Sequence, residues 1–164
     1  MRYRQTTTPI DQTKLRKAFS LMRAAGLLAR MNYACCGTCA SYALGKKAAE
    51  TRRANAAAHP SGSSILPFGF AYYHQQDTVG LGEGEDLCIG FGVGDFGAGA
   101  SDREFVKVGR IIERCCKEAG LVTDWNGSPS KRVMILAPAT IARREAAKPL
   151  TEEDAFRVGF GGVR

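Results

Sequence analysis

The hydrophobic positions of the N-terminal segment recur three or four residues apart, which predicts an amphipathic helix. Thr8 can cap this helix, Pro9 suits its first position, and Asp11 falls in its first turn. Gly26 suits the left-handed residue that follows a helix, so we expect the helix to end there. The predicted buried face comprises Leu15, Ala18, Phe19, Met22 and Ala25.

Four further segments favour helices, for different reasons. Residues 39–58 are rich in Ala, Leu, Lys, Glu and Arg, which have high helix propensity. Ser101 and Glu104 form a capping box at the start of a helical apolar stripe. A short basic helix is expected after Pro138, and a last one after a weak cap at Thr151.

Strand-like segments fill much of the remaining chain. Residues 27–33 alternate between apolar and polar positions, which predicts a half-buried strand. Segments 68–74 and 87–91 are joined by a Gly- and Glu-rich turn. Segments 122–125 and 132–136 are joined by a turn that contains Asn-Gly. Each of these two pairs therefore predicts a hairpin.

The order of the elements predicts an α+β fold. Hairpins set between helices favour a mainly antiparallel sheet of about five strands, covered on one face by about three helices. A doubly wound parallel sheet is less favoured, because two strand connections look too short for crossovers. We expect a single domain over residues 1–137 and a helical extension with a flexible tail over residues 138–164.

Composition is that of a globular chain: of 164 residues, 45% are hydrophobic and 24% are charged. No stretch resembles a membrane span. The first residues lack the apolar segment of a secretory signal, so we expect a cytoplasmic protein whose six cysteines stay reduced. The cysteines are then metal ligands, reactive thiols or small core residues rather than disulfides.

Charge is unevenly distributed along the chain. Residues 1–53 carry a net charge of +9 and residues 54–164 one of −2, which gives +7 overall. This asymmetry indicates an acidic partner for the N-terminal third, either a protein surface or nucleic acid, although a solvated helix face would have the same composition. The residues expected to bind that partner are Lys14, Lys17, Lys46, Lys47, Arg52 and Arg53.

Three cysteines in one short loop are the best candidate for a metal site. Cys36 and Cys39 have the two-residue spacing that lets two thiolates reach one ion, and Cys35 could replace Cys36. His74 and Asp77 are the best candidates for the remaining ligands. The expected cofactor is one zinc ion, and the alternative is that these thiols are core residues at a strand–helix junction.

The same residues allow thiol chemistry. A cysteine at a helix N-terminus favours its thiolate, so Cys36 or Cys39 could serve as the nucleophile of a hydrolase, with His74 as base and Asp77 as orienting group. A thioredoxin-like redox role is less favoured, because no βαβ pattern surrounds the Cys-x-x-Cys. The other thiols have apolar neighbours and are expected in the core or in a groove: Cys88, Cys115 and Cys116.

A glycine-rich stretch matches the dinucleotide-binding pattern over residues 92–97. In that motif the helix begins within the glycines, so that its N-terminus meets the phosphates. Here the capping box delays the helix to Ser101. Asp124, the candidate for the acidic residue that binds the ribose in that motif, lies too far along the chain. We therefore expect residues 92–100 to be a flexible connection and assign them no cofactor.

Three motifs together resemble a family of uncharacterised small domains from bacteria and their phages. They are Cys35-Cys36-x-x-Cys39, Tyr73-His74-x-Gln76-Asp77, and Trp125-x-Gly127 leading to Arg132-Val133. The resemblance spans residues 10–136. It implies an intracellular α+β domain in which the cysteine loop and the histidine run are paired features, and it implies no particular activity.

These observations predict a small binding or accessory protein, encoded by a phage or mobile element. Its basic N-terminal third would act on a host protein or nucleic acid, and its cysteine loop would hold a structural zinc. The alternative is the cysteine-dependent hydrolase that uses Cys36 or Cys39 with His74.

Overall fold

The computed structural model describes residues 7–58, 67, 69–94 and 100–148. Within them the chain forms five helices and one five-stranded mixed sheet. The helices are α1 (Gln12–Ala24), α2 (Gly37–Ala58), α3 (Gln75–Gly82), α4 (Asp102–Glu118) and α5 (Pro138–Ala146). The strands are β1 (Leu27–Arg30), β2 (Gly69–Tyr72), β3 (Leu87–Gly92), β4 (Thr123–Asp124) and β5 (Val133–Ile135). No helix in these ranges is both long and apolar enough to cross a membrane.

The sheet has the order β1-β2-β3-β5-β4. Both predicted hairpin pairings are confirmed, since β2 pairs antiparallel with β3 and β4 with β5. The β1–β2 pair is parallel, with Leu27 opposite Gly69, so β1, α2 and β2 form a βαβ unit. The prediction that no such unit surrounds the cysteines was wrong. The sequence did not show it because β1 and β2 are only four residues long and lie far apart in the chain.

Helices cover both faces of the sheet, not one as predicted. One face carries the main core, where α1 and α4 pack on side chains such as Ala71 and Ile89. The other face carries a smaller cluster, in which Ala40, Leu44 and Ala48 of α2 pack on Phe70 and Tyr72. Successive β2 residues point to opposite faces, which is why one short strand serves both clusters.

Two glycines of β3 make room for the aromatic side chains of β2. A Cβ at Gly90 would lie 2.4 Å from Cζ of Tyr72, and one at Gly92 would lie 2.5 Å from Cζ of Phe70. The rings therefore lie flat over the β3 backbone. This close packing brings α2, and the cysteine loop before it, against the end of β2.

The element boundaries differ from the sequence prediction in three places. Asp11 rather than Thr8 caps α1, because its carboxylate accepts the N–H groups of Thr13 and Lys14 at 2.8 and 3.1 Å. Strand β1 ends at Arg30. The polar run after β2 is a helix, α3, where a turn was expected. The capping box that starts α4 is confirmed.

Several predictions concern residues outside the described ranges. They are most of the glycine-rich connection 92–100 and the last helix with its tail after residue 150. The division into residues 1–137 and 138–164 also stays a prediction, although the basic helix expected after Pro138 is present as α5.

Candidate functional site

The segment after β1 turns the chain sharply towards the start of α2. Asn32 and Ala34 have φ angles of 48° and 62°, in the left-handed region that residues with a side chain rarely adopt. The N–H of Tyr33 donates to the carbonyl of Tyr73 at 2.9 Å, and the N–H of Gln75 donates to the carbonyl of Ala34 at 3.0 Å. These bonds fix the cysteine loop beside the chain that leaves β2.

Three thiols meet at the N-terminus of α2. The Sγ atoms of Cys35, Cys36 and Cys39 all lie within 4.8 Å of one another, and all three cysteines are free. Cys35 and Cys39 are exposed, whereas Cys36 is half-buried. Sulfurs in a tetrahedral zinc site lie about 3.8 Å apart, given Zn–S bonds of about 2.3 Å. The three thiols are therefore close enough to hold a metal ion.

The first turn of α2 favours a thiolate on Cys36. The Cys36 carbonyl accepts the N–H of Ala40 at 3.0 Å, which makes Cys36 the residue before the first helical turn. The backbone N–H of Cys39 is the main cause of a lowered Cys36 pKa, and the thiols of Cys39 and Cys35 and the N–H of Thr38 add to it. Hydrogen bonds from Cys39 to Cys35 and Cys36 raise the Cys39 pKa to about 11. The surroundings thus favour ionisation of Cys36 over ionisation of Cys39.

His74 and Asp77 form a second group beside this loop. His74 is 6% exposed and precedes α3 as its N-cap. The Asp77 Oδ2 atom accepts the His74 N–H at 3.0 Å and lies 3.3 Å from Nδ1, which is enclosed and has no hydrogen-bond partner. A Cβ at Gly37 would lie 3.6 Å from Cδ2 of His74, so the imidazole flanks the start of α2.

The sequence-predicted ligands are therefore neighbours but not one cluster. In the part of the chain that the structure describes, the group whose ligand atoms all lie within 4.8 Å comprises the three thiols alone. Cys35, which was predicted as a substitute for Cys36, is one of these three thiols. The role of His74 and Asp77 as ligands, or as base and orienting group, stays a prediction.

Three residues that sequence reasoning missed complete the surroundings. The Tyr72 hydroxyl donates to the Gly37 carbonyl at 3.0 Å and lies 2.7 Å from Oγ of Ser41. The Nη2 atom of Arg132 would lie 2.8 Å from a Cβ at Gly37. A surface cavity of about 390 Å³ lies here, lined by Gly37, Thr38, Ser41, Tyr42, Tyr72 and Arg132. Arg132 was part of a quoted motif, but nothing in the sequence linked it to α2.

The remaining cysteines lie apart from the loop. Cys115 and Cys116 are buried in α4, as expected, and burial raises the pKa of Cys116 to about 12. Cys88 is half-buried on β3, and its pKa is raised mainly by burial, with Arg132 opposing the shift. These thiols are neutral packing groups at ordinary pH.

The basic residues of the N-terminal third lie on two separate helices. Lys14 and Lys17 are exposed on α1, whereas Lys46 and Lys47 are exposed on α2, across the sheet. Arg53 is also exposed, and Arg52 is half-buried near Glu104, whose pKa it helps to lower. The six residues thus form two groups rather than one continuous face.

Comparison with known proteins gives one match. A family model described as a domain of unknown function (DUF6891) matches residues 3–145. No curated protein and no solved structure matches the chain. The expectation of an uncharacterised domain family is therefore confirmed, the bacterial or phage origin stays a prediction, and the family description supplies no chemistry.

Proposed function

The chain belongs to the DUF6891 family, a domain of unknown function, and on that premise we propose that it is a small zinc-binding accessory protein. The observation that carries the proposal is the group of three thiols, Cys35, Cys36 and Cys39, at the start of α2. The site would organise the loop, while the basic surface of α2 contacts an acidic partner.

Zinc is the ion that this donor set favours. Thiolates are soft ligands that select zinc over the hard cations magnesium and calcium, and zinc sites are tetrahedral. Three protein sulfurs leave a fourth position, for which His74 and Asp77 are the predicted ligands and water the alternative. The N–H groups that point at Cys36 offset part of the charge that three thiolates bring together.

The test is metal content and cobalt substitution. Reduced full-length protein should contain about one zinc per chain, and cobalt in its place should give a thiolate charge-transfer band. Cys35→Ser, Cys36→Ser and Cys39→Ser should each weaken cobalt binding at least tenfold, whereas Cys88→Ser should not. His74→Gln reports on the fourth ligand, and the same change at His59, the other of the two histidines in the sequence, is its control. A chain that contains no zinc and takes up no cobalt would exclude the site.

An acidic partner is the second part of the proposal. Exposed Lys46 and Lys47 on α2, together with Arg53, support binding to nucleic acid or to an acidic protein surface. A cytoplasmic accessory role for a phage or mobile element, acting on a host component, is compatible with the size and charge of the chain.

Lys46→Glu/Lys47→Glu should abolish salt-sensitive binding to a DNA duplex or an acidic polypeptide. Lys14→Glu/Lys17→Glu is the matched control on the other face, and equal losses would argue against α2 as the specific surface.

A cysteine-dependent hydrolase is the second candidate function. It is supported by the position of the His74 imidazole beside Gly37 and by the cavity next to Cys36. Cys36 would attack a carbonyl carbon, and His74, oriented by Asp77, would transfer protons. An activated ester should then give a burst of one product molecule per chain. Chelators should leave this burst unchanged, and Cys36→Ser should abolish it. A burst that survives in Cys36→Ser would remove this candidate.

A further inference from the structure

We propose that Cys36 and Cys39 form a dithiol–disulfide couple that reduces disulfide bonds in peptide substrates. The proposal goes beyond zinc binding and is independent of it, because it concerns the metal-free protein. It rests on three structural observations: the position of the two thiols on α2, the βαβ unit around them, and the cavity beside them.

The two thiols are placed for exchange. They lie three residues apart at the start of α2, with their Sγ atoms within 4.8 Å of each other. Cys39 is exposed to solvent and Cys36 is partly exposed. The Cys36 carbonyl accepts the N–H of Ala40 at 3.0 Å, so Cys36 lies at the N-terminus of α2, where free N–H groups favour a thiolate that attacks or leaves.

The second observation is the strand topology around the two thiols, which the sequence did not reveal. Strands β1 and β2 are parallel and α2 connects them, so the start of α2 lies at the carboxyl ends of both strands. In α/β units this edge is where ligands bind. A Cys-x-x-Cys at this position of a βαβ unit is the arrangement that redox dithiols use.

The adjoining cavity would receive the substrate. It has a volume of about 390 Å³, and Tyr42, Arg132 and the buried Tyr72 are among its lining residues. Tyr42 is 62% exposed at its rim. An exposed aromatic ring and one cation suit a peptide segment that carries an acidic residue near its disulfide.

The reaction balances without a cofactor. The Cys36 thiolate attacks one sulfur of the substrate disulfide, forms a mixed disulfide, and releases the other substrate sulfur, which takes a proton. Cys39 then loses its proton and attacks the Cys36 sulfur, which releases the second substrate thiol and leaves a Cys36–Cys39 disulfide. Two electrons and two protons pass to the substrate. Two molecules of a low-molecular-weight thiol restore the dithiol by the reverse exchange and leave as their own disulfide.

The test uses full-length protein stripped of metal with a chelator and equilibrated with reduced and oxidised glutathione. After alkylation, peptide mass mapping should find a reversible Cys36–Cys39 disulfide. Cys39→Ser should instead accumulate a glutathione adduct on Cys36. Folded protein should react with oxidised glutathione at least about tenfold faster than the chain in urea.

Matched variants separate this couple from nonspecific oxidation. Cys35→Ser should still form the Cys36–Cys39 bond, and Cys36→Ser should lose the rapid reaction while it keeps its circular dichroism spectrum. A bond that instead joins Cys35 to either neighbour, or equal rates in folded and unfolded chains, would overturn the proposal. Because zinc is absent throughout, failure here leaves the zinc proposal standing, and failure of zinc binding leaves this test valid.

Discussion

The hydroxyl of Tyr72 donates a hydrogen bond to the carbonyl oxygen of Gly37, at 3.0 Å. Because its single proton is used there, the same hydroxyl accepts from Ser41, whose Oγ lies 2.7 Å away. One buried side chain of β2 thus fixes the first turn of α2, where the thiols meet. The contact therefore anchors the helix turn that carries Cys39.

Tyr72→Phe should therefore destabilise the protein and loosen the thiol group. The change leaves buried polar groups without their partner, which costs about 1–3 kcal/mol in the free energy of unfolding. Urea unfolding measures the loss, and cobalt titration should show weaker binding. Tyr73→Phe is the control, because Tyr73 packs against Phe19 on the opposite face, and it should change stability by less than about 0.5 kcal/mol. Equal effects of the two variants would contradict this role of Tyr72.

Gly90→Ala should destabilise the sheet by about 1–3 kcal/mol, because the new methyl group would collide with the Tyr72 ring. The ring is held by its hydroxyl and cannot move away freely. Gly82→Ala makes the same chemical change at the end of α3, where a Cβ would meet nothing within 4 Å. That control should be neutral or slightly stabilising in thermal unfolding. A tolerated Gly90→Ala would mean that the β2 rings are not packed on the β3 backbone.

In the metal-free protein, alkylation should be faster at Cys36 than at Cys39. Its pKa is lowered by the N–H of Cys39, so its reaction with iodoacetamide should rise with pH at lower values than for an ordinary thiol. Cys39, with a pKa of about 11, should stay largely unmodified at mildly alkaline pH. In Cys36→Ser one neighbouring thiolate is lost, so the Cys39 pKa should fall and its labelling should increase. Mass mapping of the labelled peptides measures both rates, and faster labelling of Cys39 than Cys36 would contradict the assignment.

Asp11 should contribute stability that depends on pH. Its hydrogen bonds to the N–H groups of Lys14 and Thr13 lower its pKa below 3.8 in the folded state. A lowered pKa stabilises the fold above the unfolded-state value, and the contribution is lost as the pH falls through the folded-state pKa. Asp11→Ala should therefore lower the melting temperature at neutral pH, by an amount that shrinks in acid. Asp11→Asn, which can cap without titrating, should keep most of the stability. A difference between Asp11→Ala and the parent that does not vary with pH would be inconsistent with this role.

Local signals in the sequence were sufficient for most of the helices and hairpins. The buried face of α1, the capping box of α4 and the two antiparallel pairs all depend on residues close in the chain. The α3 helix was missed because its polar first turn, after His74, is also typical of a loop. Its cap uses a histidine with Asp77 rather than the usual serine or threonine.

By itself, the sequence determined the candidate chemistry: a cysteine triplet before a helix, a histidine with an aspartate three residues later, and a basic N-terminal third. Spacing along the chain was enough for this, because the three thiols fall within five residues. Only the tertiary structure decided that β1 and β2 are parallel, that α2 covers the second face, and that Tyr72 and Arg132 border the loop. Those relationships join residues more than twenty positions apart. Such contacts are set by the packing of rings on glycines and by strand register, which no local pattern encodes.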